Sequence, residues 1–150
     1  MRSLPLQFYE FEAEPCQAFP AGRRVQRPMV PFRLSCGDRT TATLLGLLDS
    51  GSDDCVFHFS LAEELGIDWR RCPTANFHGA SGKMAKLHYH MVTMTVWGAR
   101  GPFFSYLMYA GFTGLPTGSK ALLGQTGFLD RFDVTLSRSR GTGRLILRIH

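Results

Sequence analysis

The stretch that decides the fold is Leu47-Leu48-Asp49-Ser50-Gly51-Ser52-Asp53-Asp54. Two leucines lead into a carboxylate, which predicts a buried strand that delivers Asp49 to a turn in a cleft. Gly51 allows a sharp turn, and the hydroxyls of Ser50 and Ser52 can orient neighbouring groups through local hydrogen bonds. Asp-Ser-Gly-Ser is also ordinary turn chemistry, so the four residues alone leave a catalytic and a structural interpretation open.

The residues before this stretch predict a β-hairpin. Val30, Phe32 and Leu34 alternate with polar or small residues, and the segment 36–38 supplies turn chemistry through Gly37. Residues 40–48 are rich in β-branched and apolar side chains, which predicts a second strand ending at Asp49.

The residues after it predict further short strands and two brief helices. Ser60 and Glu63 are spaced for a capping box, so a two-turn helix is expected to end at Gly66. Strands are expected over 77–97 as a long hairpin, then at 102–109, 132–136 and 144–149, with a short helix at 126–131. This pattern favours an all-β, closed or nearly closed barrel. Residues 1–28 lack clear periodicity and are expected to be an extended arm.

The sequence resembles the retropepsin-like aspartic proteases, which include retroviral proteases and bacterial relatives, over about residues 30–149. Three elements carry the resemblance, in the family's order. They are the 47–54 stretch as catalytic loop, the hairpin tip Gly79-Ala80-Ser81-Gly82 as flap, and Leu122-Leu123-Gly124, which in the family packs beneath the catalytic loop.

The resemblance implies a closed acid-protease β-barrel with one or two short helices and a flap hairpin. It divides the chain into an arm at 1–28 and a retropepsin-like domain at 29–150. The sequence has a single Asp-Ser-Gly, so the implied enzyme is a homodimer in which each chain supplies one Asp49. The implied activity is an aspartic endopeptidase that hydrolyses a peptide or protein substrate with an activated water, without metal or other cofactor. An inactive peptide-binding or assembly module of the same fold is the alternative.

Further residue roles follow from the resemblance. Ser50, Gly51 and Ser52 would support the catalytic loop, with the Ser52 hydroxyl donating to the outer oxygen of the Asp49 carboxylate. Asp53, Asp54 and the flap residues Gly79, Ala80, Ser81 and Gly82 would bind substrate, although either aspartate could instead cap the loop. Gln125 stands where retroviral enzymes have arginine and would hydrogen-bond to Asp53. The segment 145–149 could add a strand to a dimer sheet or pair within its own subunit.

Other features of the sequence indicate no second activity. The net charge of +5 reflects 17 Lys and Arg residues, but no aromatic and basic stacking surface is evident, so a nucleic-acid partner is not expected. No segment approaches the roughly 20 apolar residues of a membrane span, and no membrane partner and a cytoplasmic location are expected. His88 and His90 share a strand face without a third ligand, so they are interpreted as surface histidines and no metal site is predicted.

Overall fold

Strands account for most of the chain in the computed structural model, which describes residues 2–78, 84–114 and 121–148. In chain order the elements are β1 (Ser3–Ala13), β2 (Arg23–Cys36), β3 (Arg39–Thr40), β4 (Leu44–Leu48), β5 (Val56–His58), α1 (Phe59–Glu64), a 3-10 turn (Trp69–Arg71), β6 (Thr74–His78), β7 (Met84–Gly98), β8 (Gly101–Thr113), β9 (Ala121–Leu123), β10 (Phe132–Ser137) and β11 (Thr142–Leu147).

Six of these strands close into a barrel. The strand order runs β2, β4, β9, β5, β8, β7, and β7 pairs back with β2. The alternating residues Val30, Phe32 and Leu34 are fully buried, because an antiparallel strand presents every second side chain to one face. The rings of Phe32 and Phe112 lie 5.7 and 6.0 Å from that of Phe57 and help fill the core. The predicted all-β closed barrel is confirmed.

The expected hairpin before the catalytic loop is present. Strand β2 pairs antiparallel with β4, from Met29 opposite Leu47 to Phe32 opposite Leu44. The short β3 pairs with the end of β2 after the turn at Gly37, whose φ of 61° is a left-handed conformation that favours glycine.

Residues 1–28 differ from the expected arm, because they are integrated into the sheet. Strand β1 pairs with β2, from Gln7 opposite Met29 to Ala13 opposite Arg23. On its other edge β1 pairs with β11, and β10 lies beyond β11 at the end of the strand order. The segment is extended as expected, but backbone hydrogen bonds hold it along most of its length.

The two predicted helices have different outcomes. Helix α1 forms, but its N-cap is His58, whose Nδ1 accepts a 3.1 Å hydrogen bond from the Ser60 backbone N–H, so Ser60 does not cap it. The chain leaves the helix at Gly66, where φ is 71°. The helix expected at 126–131 is wrong: this segment is a series of turns. Gly127 has a φ of 100°, which is incompatible with a right-handed helix.

Candidate active site

Two neighbouring strands place the Asp49 loop. Strand β4 pairs in parallel with β9, with Leu47 opposite Leu122 and Leu48 opposite Leu123. The Asp49 backbone N–H continues this pairing with a 3.0 Å hydrogen bond to the Leu123 carbonyl. Leu123 is fully buried, whereas Asp49 is half-buried and Ser50 is exposed. The carboxylate therefore follows a partly buried pair of parallel strands, at the surface of the barrel.

The loop folds back on the carboxylate. The Gly51 backbone N–H donates to Asp49 Oδ1 at 2.9 Å, and the Ser52 N–H donates to the Asp49 carbonyl at 3.2 Å. A Cβ at position 51 would lie 3.2 Å from Asp49 Oδ1, closer than most side chains approach. Glycine at this position lets the backbone donor reach the carboxylate, which fixes the orientation of the acid.

The segment after β9 holds the loop from the other side. The Gln125 N–H donates to the Ser52 carbonyl at 2.9 Å, and the Thr126 N–H donates to the Asp53 carbonyl at 2.8 Å. Gly124 lies against the same backbone, because a Cβ there would be 2.3 Å from the Asp54 carbonyl oxygen. Leu122, Leu123 and Gly124 thus stand beside the 49–54 loop, and only glycine fits at the third position.

Comparisons with known proteins bear on the fold. No family model matches the chain, and no curated protein matches it. Among solved structures, a retropepsin-like aspartic protease from Rickettsia conorii matches with a TM-score of 0.53 and 12% identity, covering 93% of this chain and 92% of that chain. The chain has a retropepsin-like fold. At this identity the likeness shows the fold alone, and Asp49 stays a predicted catalytic residue.

Within this retropepsin-like fold, two expected side-chain contacts are replaced by others. The Ser52 hydroxyl is buried and donates to the Asp54 carbonyl at 2.7 Å, so it braces the loop and does not reach Asp49. Gln125 Nε2 donates to the Ser50 carbonyl at 2.7 Å and does not bond Asp53. Both side chains still tie the loop together, but through backbone carbonyls and not through carboxylates.

The two aspartates at the end of the loop have different surroundings. Asp53 is exposed, whereas Asp54 is half-buried and its Oδ2 accepts a 2.9 Å hydrogen bond from the Tyr89 hydroxyl. Burial and this hydrogen bond raise the pKa of Tyr89 to about 12, so the phenol stays a donor at neutral pH. Sequence analysis missed Tyr89, because 35 residues separate it from Asp54 and no local pattern links them.

The remaining predicted features are the flap residues and His88. The flap residues Gly79, Ala80, Ser81 and Gly82 lie outside the described residues; the strands β6 and β7 on either side pair as an antiparallel hairpin. His88 is not the predicted surface residue: its half-buried ring packs against Phe59 and Trp69, and its Nδ1 is buried without a hydrogen-bond partner within residues 2–78, 84–114 and 121–148.

Further features of the described residues are the Cys55 thiol, the potential metal ligands and the helix lengths. Burial raises the pKa of the Cys55 thiol to about 12, so this cysteine beside the loop is protonated at neutral pH and is not a nucleophile. No group of three or more potential metal ligands occurs among the described side chains, and no described helix has the length and apolar character needed to span a membrane.

Proposed function

We propose that this chain is an aspartic endopeptidase in which Asp49 acts together with Asp49 of a second, identical subunit. The observation that supports this most strongly is the position of Asp49: it stands where a partly buried pair of parallel strands ends, with Oδ1 held by the Gly51 N–H at 2.9 Å. The retropepsin-like fold supports the proposal, because aspartic proteases place their acid in such a loop. The single Asp-Ser-Gly in 150 residues means that one chain offers half of a carboxylate pair.

The proposed mechanism follows from placing two carboxylates together. Like charges about 3 Å apart share one proton, so one Asp49 is ionised and its counterpart is protonated. The ionised carboxylate removes a proton from a water molecule, while the protonated one polarises the scissile carbonyl. Water attacks the carbonyl carbon, and the tetrahedral intermediate collapses with protonation of the leaving amine. No covalent enzyme adduct forms.

Substrate binding is proposed at the rim of the same loop. Asp53 is exposed and is available to bind a peptide backbone or side chain. Asp54 already accepts a hydrogen bond from the Tyr89 hydroxyl through its carboxylate. The hairpin of β6 and β7 would carry the flap residues 79–82 over an extended peptide, which it would bind by strand addition.

The proposal is tested by Asp49→Asn on a peptide library, with cleavage followed by mass spectrometry. Asp38→Asn is the matched control, because Asp38 is an exposed residue in the turn before β3. We expect wild type and Asp38→Asn to cleave the same peptides and Asp49→Asn to be about two to four orders of magnitude slower. Equal turnover by Asp49→Asn would contradict the mechanism. Peptide binding without cleavage by a wild-type dimer would instead favour an inactive peptide-binding or assembly module.

A further inference from the structure

Strands β1 and β2 extend beyond their neighbours as a two-stranded ribbon, formed by residues 8–13 and 23–28. Strand β1 pairs with β11 only from Ser3 to Gln7, and β2 pairs with β4 and β7 only from Met29 onwards. In the described part of the chain, no third strand pairs with the ribbon. None of its residues is buried, so both of its faces are partly open to solvent.

The two faces of the ribbon differ in charge, because successive side chains of a strand point to opposite sides. One face carries Glu10, Glu12 and Arg24, and Arg24 Nη1 lies 3.4 Å from Glu10 Oε2. The other face, which we call the aromatic-basic face, has no acidic residue within the ribbon, and every residue of the ribbon is described. Its residues are Tyr9, Phe11, Ala13, Arg23, Val25 and Arg27.

Two arginines lie against aromatic rings at this face. The guanidinium carbon of Arg27 is 5.3 Å from the centroid of the Phe11 ring. That of Arg23 is 4.3 Å from the centroid of the Phe19 ring, which belongs to the turn between the two strands and is 42% exposed. The face of an aromatic ring attracts a cation, so each ring holds its guanidinium in place. A guanidinium held in this way can still donate to a phosphate through its N–H groups.

The aromatic-basic face continues onto strand β11, which lies between β1 and β10 in the same chain. Its third arginine is Arg144, an exposed residue whose Nη1 donates to Ser3 Oγ at 2.9 Å. Ser3 lies on the same side of β1 as Tyr9, because an even number of residues separates them. Asp133, on this side of β10, is paired with Arg148. The three arginines of the face make no ion pair with any carboxylate that the structure describes, so their charges are available to an anion.

We propose that the aromatic-basic face binds single-stranded nucleic acid. Bases stack on the Tyr9 ring and on the paired Phe11 and Arg27 side chains, while the arginines bind the phosphates. Tyr9 and Phe11 are two residues apart on one strand, so their rings follow each other at a spacing of about 7 Å. An acidic peptide would use the arginines but not the rings, and a duplex would keep its bases stacked on each other. Single strands are the partner that uses both kinds of side chain.

The sequence alone does not predict this surface. Its aromatic and basic residues come from β1, β2 and β11, and they meet only through strand pairing. The proposal therefore replaces the expectation that no nucleic acid binds. It goes beyond the proposed function and requires neither Asp49 nor peptide cleavage.

The first test measures fluorescence anisotropy of a labelled oligothymidylate of about 15 nucleotides, a length that one such surface can cover. The comparison probe is an abasic strand of the same length, which has the same phosphates but no bases. We expect the full-length wild-type chain to bind the oligothymidylate at least about tenfold more tightly than the abasic strand, because only the first can stack on the rings.

The second test replaces the rings. Tyr9→Leu combined with Phe11→Leu keeps apolar side chains but removes both stacking surfaces, so the dissociation constant for oligothymidylate should rise at least about tenfold. Its affinity for the abasic strand should not change, which a misfolded ribbon would not allow. Phe8→Leu is the matched control, because Phe8 is a half-buried ring on the opposite face of the same strand, and it should match wild type. Circular dichroism checks the fold of each variant.

The third test replaces the charges and does not depend on the aromatic variant being folded. Arg27→Gln and Arg144→Gln should each weaken binding of both probes. Each should also reduce the slope of the logarithm of affinity against the logarithm of salt concentration by about 0.7, the value for one phosphate contact on a single strand. Arg24→Gln makes the same change in charge on the opposite face, where Arg24 is paired with Glu10, and should leave the slope unchanged.

Several results would overturn the proposal. They are equal affinity of the wild-type chain for the two probes, an unchanged dissociation constant in the double leucine variant, and an equal effect of Arg24→Gln and Arg27→Gln on the salt slope. A glutamate peptide of the same charge that binds as tightly as oligothymidylate would also overturn it, in favour of an acidic protein partner. Binding is measured without catalysis, so its failure and the failure of the proposed endopeptidase are separate outcomes.

Discussion

Gly124 and Asp54 lie so close that any side chain at position 124 would collide with the backbone of the candidate catalytic loop. A Cβ there would be 2.3 Å from the Asp54 carbonyl oxygen and 2.4 Å from the Ser52 carbonyl oxygen. The Asp54 carbonyl also accepts a hydrogen bond from the Ser52 hydroxyl, and the Ser52 carbonyl accepts one from the Gln125 backbone N–H. Neither carbonyl can therefore move without disturbing the loop. The loop that carries Asp49 is therefore positioned by a glycine 75 residues later in the sequence.

Gly124→Ala is expected to lower the free energy of unfolding by about 3 kcal/mol, because the added methyl must displace backbone in a packed region. Urea denaturation measures this change. Gly37→Ala is the control: nothing lies within 4 Å of a Cβ there, and only its φ of 61° is unfavourable. Its expected loss is about 1 kcal/mol. Equal losses in the two variants would show that the loop can move away from a methyl group.

Ser52→Ala is expected to cost about 1 to 2 kcal/mol of stability, because the buried hydroxyl is the side-chain donor to the Asp54 carbonyl. Ser105→Ala is matched to it: that exposed hydroxyl makes a 2.8 Å hydrogen bond to Thr95, and its loss should cost a few tenths of a kcal/mol. Because Ser52 does not bond Asp49, the pH profile of peptide cleavage should keep its shape. A displaced profile would mean that the hydroxyl reaches the carboxylate in the active dimer.

The strands around the candidate site could be predicted because burial imposes a regular alternation on them. Val30, Phe32 and Leu34 all face the core, and the sequence shows the corresponding period of two. Strand β1 offers no such signal, since Leu6 is its one buried residue and the others are partly or fully exposed. Its position in the sheet depends on pairing with β2 and β11, which local sequence does not encode.

Side-chain partners in the loop were harder to predict than the loop itself. Ser52 and Gln125 are both close to carboxylates in sequence or in the expected fold, yet each donates to a backbone carbonyl instead. A residue type fixes which groups can donate, but the geometry of the folded chain decides which acceptor is within reach. The turns at 126–131 illustrate the same limit, because the left-handed Gly127 breaks an otherwise helical pattern.

Mixing wild type with Asp49→Asn should reveal whether two chains share one site. With free exchange, equal amounts leave about one quarter of the dimers with two carboxylates, so activity falls to about one quarter of that of the same total amount of wild type. A mechanism confined to one chain predicts about one half, which is simple dilution. Asp38→Asn as the mixing partner should leave full activity. The assay is run above the dimer dissociation constant, which sedimentation velocity of the wild-type chain over a concentration series provides.

The hydrogen bond from Tyr89 to Asp54 predicts a specific pH dependence of stability. The phenol must be protonated to donate, and its pKa is raised from 10.0 to about 12, first by burial and then by Asp54. The folded chain therefore holds this proton more tightly than the unfolded chain does. The resulting stabilisation is complete below pH 10 and is lost as the pH rises from 10 to about 12.

Tyr89→Phe removes the hydroxyl and should lower the free energy of unfolding by about 1 kcal/mol at pH 8. Urea denaturation of both proteins at a series of pH values should show this difference shrinking between pH 10 and 12. Tyr106 also has a raised pKa through burial, but it is present in both proteins and cancels in the difference. Tyr109→Phe, at a 63% exposed residue, is the control and should match wild type at every pH. If the difference in unfolding free energy between wild type and Tyr89→Phe stays constant through pH 12, the folded chain does not hold the Tyr89 proton more tightly than the unfolded chain, and the prediction is wrong.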